Sequence, residues 1–122
     1  MPTELEVVRI FHELIAPPNY KMIVCLCQCL GLFVNINTKD VWRGSLLISK
    51  TLHNFLEYDS NLECGKVYEI DDYMIQQGSG VIGQIDRQHI PDILARIDRS
   101  VEISDNDKRA IREALTPLLP ST

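Results

Sequence analysis

The sequence predicts an α+β fold, a small and strongly bent antiparallel sheet of five strands with one helix before it and two after it. Three observations predict it. Phe55–Ile97 reads as strand, short loop, strand and amphipathic helix with almost no slack, an order that suits a curled sheet closed at one end by a helix. Residues 3–16 carry a helical apolar stripe that stops at Pro17 and Pro18. A second amphipathic stripe with its own cap closes the chain.

The first helix is expected over 3–16. Thr3 followed by Glu6 matches a capping box, and Leu5, Val8, Phe11 and Ile15 fall on one face, widened by Val7, Ile10 and Leu14. The sheet is expected over about 20–86. Met22–Gln28 is apolar on both faces and reads as a central strand; Gly31 turns it into Leu32–Ile36 as a hairpin. Trp42–Ser49 follows as a strand bent at Gly44, then a turn of helix around Leu52–Leu56. Leu62–Ile70 alternates, with Leu62, Cys64, Tyr68 and Ile70 inward and Glu63 and Glu69 outward, as a half-buried strand does. Asp71 and Asp72 break it, and Val81–Ile85 returns. The last helices are expected near 88–100, burying Ile90, Ile93, Leu94 and Ile97 with Pro91 in the first turn, and near 105–118, capped by Ser104 and carrying Ile111, Leu115 and Leu118.

A length of 122 residues with 45% hydrophobic and 24% charged residues suits one ordinary globular domain over 1–122. The apolar run Met22–Leu30 is too short to span a bilayer, and the acidic start MPTELEVVR lacks the basic segment of a secretory signal. A cytoplasmic protein with reduced thiols and no membrane association is therefore expected. The net charge of −5 argues against a nucleic-acid partner, but it is unevenly placed. Asn19–Leu56 holds Lys21, Lys39, Arg43 and Lys50 against Asp40 alone, a local balance of +3 that would meet phosphates in a salt-dependent way.

The conspicuous chemical motifs have plain structural readings. On a straight strand Cys25, Cys27 and Cys29 would form a row roughly 7 Å apart, too wide for a disulfide and awkward for a tetrahedral ion, even with Cys64 or His12, His53 or His89 nearby. They read as core filler, with no metal and no cofactor expected. Gly78-Ser79-Gly80-Val81-Ile82-Gly83 matches G-x-G-x-x-G, but the glycines lead into a strand rather than opening a helix. Asp71-Asp72 reads as turn chemistry, and the three histidines as surface or half-buried residues. Glu102, Asp105 and Asp107 stand at a helix start, where they complement its dipole.

One polar cluster suggests more. Asn35, Asn37, Thr38, Lys39 and Arg43 follow one strand, and Asp59, Ser60 and Asn61 precede another. Where the two ends converge they offer a cation for phosphate, a carboxylate for proton transfer, and hydroxyl or amide donors. A pair of solvated polar loops explains the same residues.

DSNLECGKVYEID, GVIGQIDRQHIPDILARID and the hairpin YKMIVCLC…GLFVNIN together resemble divergent members of the MazF/PemK-like toxins of toxin–antitoxin systems, over roughly residues 20–100. The carrying marks are Val81-Ile82-Gly83-Gln84-Ile85 and the aliphatic series Ile90, Ile93, Leu94, Ile97. The resemblance implies an SH3-like barrel, a homodimer, an antitoxin partner, and metal-independent cleavage of single-stranded RNA by attack of the ribose 2′-hydroxyl. The family's Gly-Asp strand and Arg-Pro motif are absent here, so its arginine has no counterpart; Thr38 loosely matches its threonine. On this reading Arg43 or Lys39 stabilises the phosphate, Asp59 accepts the proton, Thr38 and Asn37 position the substrate, and Lys21, Ser60 and Asn61 help bind it. A non-catalytic barrel that binds a protein or nucleic acid is the alternative.

Overall fold

The computed structural model describes residues 2–39 and 44–120. It is an α+β fold in which a curled antiparallel half-barrel carries two helices at its C-terminal side. Among the described residues the sheet has seven strands: β1 (Glu6–His12), β2 (Asn19–Cys27), β3 (Leu32–Asn37), β4 (Ser45–Ile48), β5 (Ser60–Glu63), β6 (Tyr68–Glu69) and β7 (Val81–Gln84). Their order is β4-β5-β3-β2-β1-β7, with β6 also on β3. The helices are α1 (Asp72–Gln76), α2 (Ile90–Arg99) and α3 (Asp105–Leu115). No helix among the described residues is long and apolar enough to cross a membrane.

The expected N-terminal helix is instead strand β1. The capping contacts do form, since Glu6 Oε1 accepts hydrogen bonds from Thr3 N at 2.7 Å and Thr3 Oγ1 at 3.0 Å. They close a turn rather than a helix, because Leu5 takes a left-handed φ of 72° that no right-handed helix admits. Leu5 is held there from both sides: its N–H donates to Cys25 O at 2.7 Å, and its carbonyl accepts from Ile85 N at 2.8 Å. Beyond it β1 pairs antiparallel with β2 from Val7↔Val24 to His12↔Asn19, and with β7 on its other side. Val7, Val8 and Ile10 are β-branched, which favours the extended form.

The β2–β3 hairpin is as expected, and Leu62–Ile70 is not one strand. It splits into β5, opposite Ile36 and Asn37 of β3, and β6, opposite Leu32 and Phe33. The cause is a close crossing. Gly44 sits at φ 77° against Gly65, where a Cβ would come within 2.6 Å of Gly65 N, and Cys64 N donates to Gly44 O. All four residues of β5 are buried, including Glu63, which the alternating pattern had placed outward. Leu52–Leu56 forms successive turns, not a helical turn. Asp71 does more than break a strand: its Oδ1 accepts from Met74 N at 2.9 Å and caps α1. Trp42 and Arg43, the first part of the expected third strand, lie outside the described residues.

The sheet buries both faces. On one, Val24, Leu26, Val34, Ile36, Ile48 and Leu62 pack beneath Ile90, Ile93 and Ile97 of α2 and Ile111 and Leu115 of α3. Each fully buried aliphatic side chain there contributes roughly 1.5–3 kcal/mol relative to exposure. Gly83 lets Phe55 lie on β7, since a Cβ would land 2.1 Å from the ring. On the other face Val8, Ile10, Ile23, Cys25 and Phe33 meet Ile70 and Met74 under α1.

The cysteine row does not form. A register shift between Cys25 and Cys27 breaks the alternation, so Cys25 enters the smaller cluster and Cys27 the larger. Cys29 is exposed in the turn, and all four thiols are free. Burial pushes the thiols of Cys25 and Cys64 up to about 12, so they stay protonated.

Candidate functional site

The two strand ends singled out from sequence meet, with Asn37 opposite Asn61 in register. They do not form a single cluster, because the sheet separates them. Thr38 and Ser60 line a groove of about 390 Å³ whose apolar wall, Met22, Ile36 and Phe55, continues the helix-covered core. Asn37 lines a cleft of about 570 Å³ on the opposite face. Lys21, half-buried on β2, borders both, as does Tyr20.

The expected catalytic residues fare unequally. Thr38 and Lys39 are exposed at the end of β3. Arg43 lies outside the described residues. Asp59 Oδ1 accepts the backbone N–H of Lys50 at 2.8 Å, which gives that carboxylate a structural task in closing a turn. Ser60 is buried and donates to Tyr58 O at 2.9 Å; Asn61 is buried in β5.

The groove is chiefly aromatic and cationic. Arg9 stands over the Tyr20 ring at 5.4 Å, and Phe11 meets the same ring edge-on at 5.2 Å. Tyr20 and Tyr58 are 61% and 64% exposed, an unusual state for two large aromatics bordering one groove. Glu57 supplies a carboxylate to it. Arg9, Tyr20, Glu57 and Tyr58 were missed by sequence reasoning, since Arg9 had been placed on a helix and the turn before β5 was judged by Asp59, Ser60 and Asn61.

The cleft has a different floor. Asn35, Asn37 and Glu63 are 2%, 9% and 7% exposed, and Asn37 Nδ2 donates to Glu63 Oε2 at 2.9 Å. Tyr68 stands beside them with its phenol pushed up by burial and by Glu63, partly opposed by Lys66. Lys66 reaches over the Tyr68 ring at 5.0 Å and borders the cleft.

Behind this floor His12 is buried, not at the surface. Its Nδ1 accepts from Leu14 N at 3.3 Å, which places the proton of the neutral ring on Nε2. Nε2 and Asn35 Oδ1, one donor and one acceptor, have no hydrogen-bond partner among the described residues. Burial lowers the His12 pKa, the Asn35 amide works against that, and Lys21 adds to the lowering.

His53 is also buried. Asp86 N donates to its Nε2 at 3.1 Å, so Nδ1 carries the proton to Ser49 O at 2.8 Å. Its ring stacks on His89 at 5.4 Å. These are structural contacts between β7, α2 and the preceding turns. Among the described residues no group of three or more His, Cys, Asp or Glu side chains is arranged to hold a metal ion.

No protein-family model matches this chain, and no curated protein matches it significantly.

Proposed function

We propose that this chain is an interaction module that binds single-stranded RNA in the groove, on a curled sheet read as an SH3-like small barrel. The observation that carries this reading is Tyr20, exposed, held by Arg9 and Phe11, and bordered by Lys21. Exposed aromatic rings stack on unpaired bases, while neighbouring cations take the phosphates; each stacked base contributes about 1–3 kcal/mol. Tyr58 across the groove offers a second ring, and Thr38 offers a hydroxyl. With a net charge of −5 the attraction is local to this rim, so binding weakens steeply with salt.

A second reading, a metal-independent endoribonuclease of the MazF/PemK-like toxin kind, is favoured by Glu57. Its carboxylate borders the same groove as Thr38 and Lys21, supplying the acid–base group, hydroxyl and cation that 2′-hydroxyl attack requires. Asp59, engaged with Lys50 N, is replaced by Glu57 in that role.

The test is fluorescence anisotropy with labelled oligoribonucleotides, alongside RNA integrity on gels. Tyr20→Ala is expected to weaken binding about five- to a hundredfold without unfolding the chain. Unchanged affinity in Tyr20→Ala overturns the groove as the site. Intact RNA after prolonged incubation with the wild-type protein overturns the nuclease reading, and cleavage that survives Glu57→Gln overturns Glu57 as its acid–base group.

A further inference from the structure

We infer that the cleft on the face opposite the helices is a guanine-recognition pocket, which gives the RNA reading above a base preference and rests on it. The starting point is a costly arrangement. Glu63 is a carboxylate only 7% exposed, with one neutral donor, the Asn37 amide, at 2.9 Å. A carboxylate held largely out of water favours added N–H donors, and the floor beside it carries one further buried amide, Asn35, whose Oδ1 has no hydrogen-bond partner among the described residues. A ligand that brings N–H donors relieves that cost.

The charges around the floor decide which ligand. A cationic ligand would meet Lys21 and Lys66 at the same cleft; a purely anionic one would meet Glu63 and Glu102. A neutral head with two adjacent N–H donors, attached to a phosphate, satisfies both sets. Guanine has that edge: N1–H and the N2 amine point the same way and match the two oxygens of a carboxylate. Adenine and cytosine place an acceptor beside their amine, and uracil has one N–H between two acceptors, so each would turn a lone pair toward Glu63. A cleft of about 570 Å³ holds a nucleotide with room to spare. Because Tyr20 and Lys21 border both the groove and the cleft, a strand lying in the groove passes one base over that shared rim.

The experiment compares labelled octamers by anisotropy: all-uridine, the same with one central guanosine, and the same with inosine, which lacks the N2 amine. Guanosine is expected to bind about tenfold tighter than uridine, with inosine between them. Glu63→Gln should erase the preference, whereas Glu113→Gln, on the exposed side of α3, should keep it. The inosine comparison uses the wild-type chain, so it stands even if Glu63→Gln fails to fold. Equal binding of the three octamers overturns the pocket and leaves the RNA reading intact. Unbound octamers, with guanosine monophosphate still bound and uridine monophosphate not, keep the pocket and overturn the RNA reading. Binding of neither octamers nor guanosine monophosphate overturns both.

Discussion

The two faces of the half-barrel are built on different principles. The helix-covered face is dry, with aliphatic side chains from five strands meeting two amphipathic helices. The opposite face begins the same way, with Val8, Ile10, Ile23 and Phe33, and then gives over to His12, Asn35, Asn37 and Glu63 along the same strands. Among the described residues the five-residue α1, with Ile70 before it, covers its apolar part. Buried amides and a carboxylate add little net stability, because water already satisfied them in the unfolded chain. The helix-covered face carries the larger share of the apolar burial, and the other combines a smaller apolar cluster with a shaped polar surface.

The largest expected effect tests that division directly. Ile97 is fully buried between α2 and the sheet, and Ile97→Ala should cost about 2–5 kcal/mol in urea denaturation. Met74→Ala on the other face should cost less, near the lower end of that range, because Met74 retains 8% exposure and short α1 can settle into the space. Equal costs would mean that both faces carry the fold alike.

A smaller effect is expected at the helix caps. Ser104 Oγ accepts from Asp107 N at 3.1 Å at the start of α3, and Ser104→Ala should lower global stability by about 1 kcal/mol. Asp71→Ala removes the matching bond at α1. Its effect should appear mainly as faster amide exchange in Asp72–Gln76, since a helix of one turn opens locally without unfolding the sheet. A global loss from Asp71→Ala equal to that from Ser104→Ala would place α1 within the cooperative core.

The same contrast explains what was legible in the sequence. Residues of α2 and α3 announce themselves through period, caps and an early proline, all local signals, and Ile90, Ile93, Leu94, Ile97, Ile111 and Leu115 are buried as expected; Leu118, expected on the same helix, is half-buried in a 3-10 turn beyond its end. The β2–β3 hairpin is likewise local. Strand β1 is not. Its apolar residues fit a helical stripe and a strand almost equally, and its extended form is decided by pairing with β2 and β7 at a distance in sequence. Its one local clue was the β-branched run Val7, Val8, Ile10. Misplacing β1 hid the place of Arg9 at the groove and the burial of His12 behind the cleft. Glu63 was hidden differently: alternation assigned it to solvent, but the crossing at Gly44 and Gly65 buries both sides of β5.

The smallest expected effect is a pH dependence that each half of the molecule contributes to. Burial lowers the His12 pKa from 6.5 on the polar face, and burial together with His53 lowers that of His89 at the helical side, with Asp86 and Asp92 opposing. Above pH 6.5 both rings are neutral in the folded and unfolded chain, so they cause no slope. As pH falls below 6.5 the unfolded chain takes up protons first, and stability declines until pH drops through the lowered folded values; below those the loss is complete and constant. Urea midpoints should therefore be lower at pH 5 than at pH 7.5, and His12→Gln and His89→Gln should each remove part of the difference. The His12→Gln change should be the larger, since His12 is fully buried and His89 only half-buried. A midpoint that rises on acidification, or a difference untouched by either substitution, would show that these rings are not what couples the fold to protons.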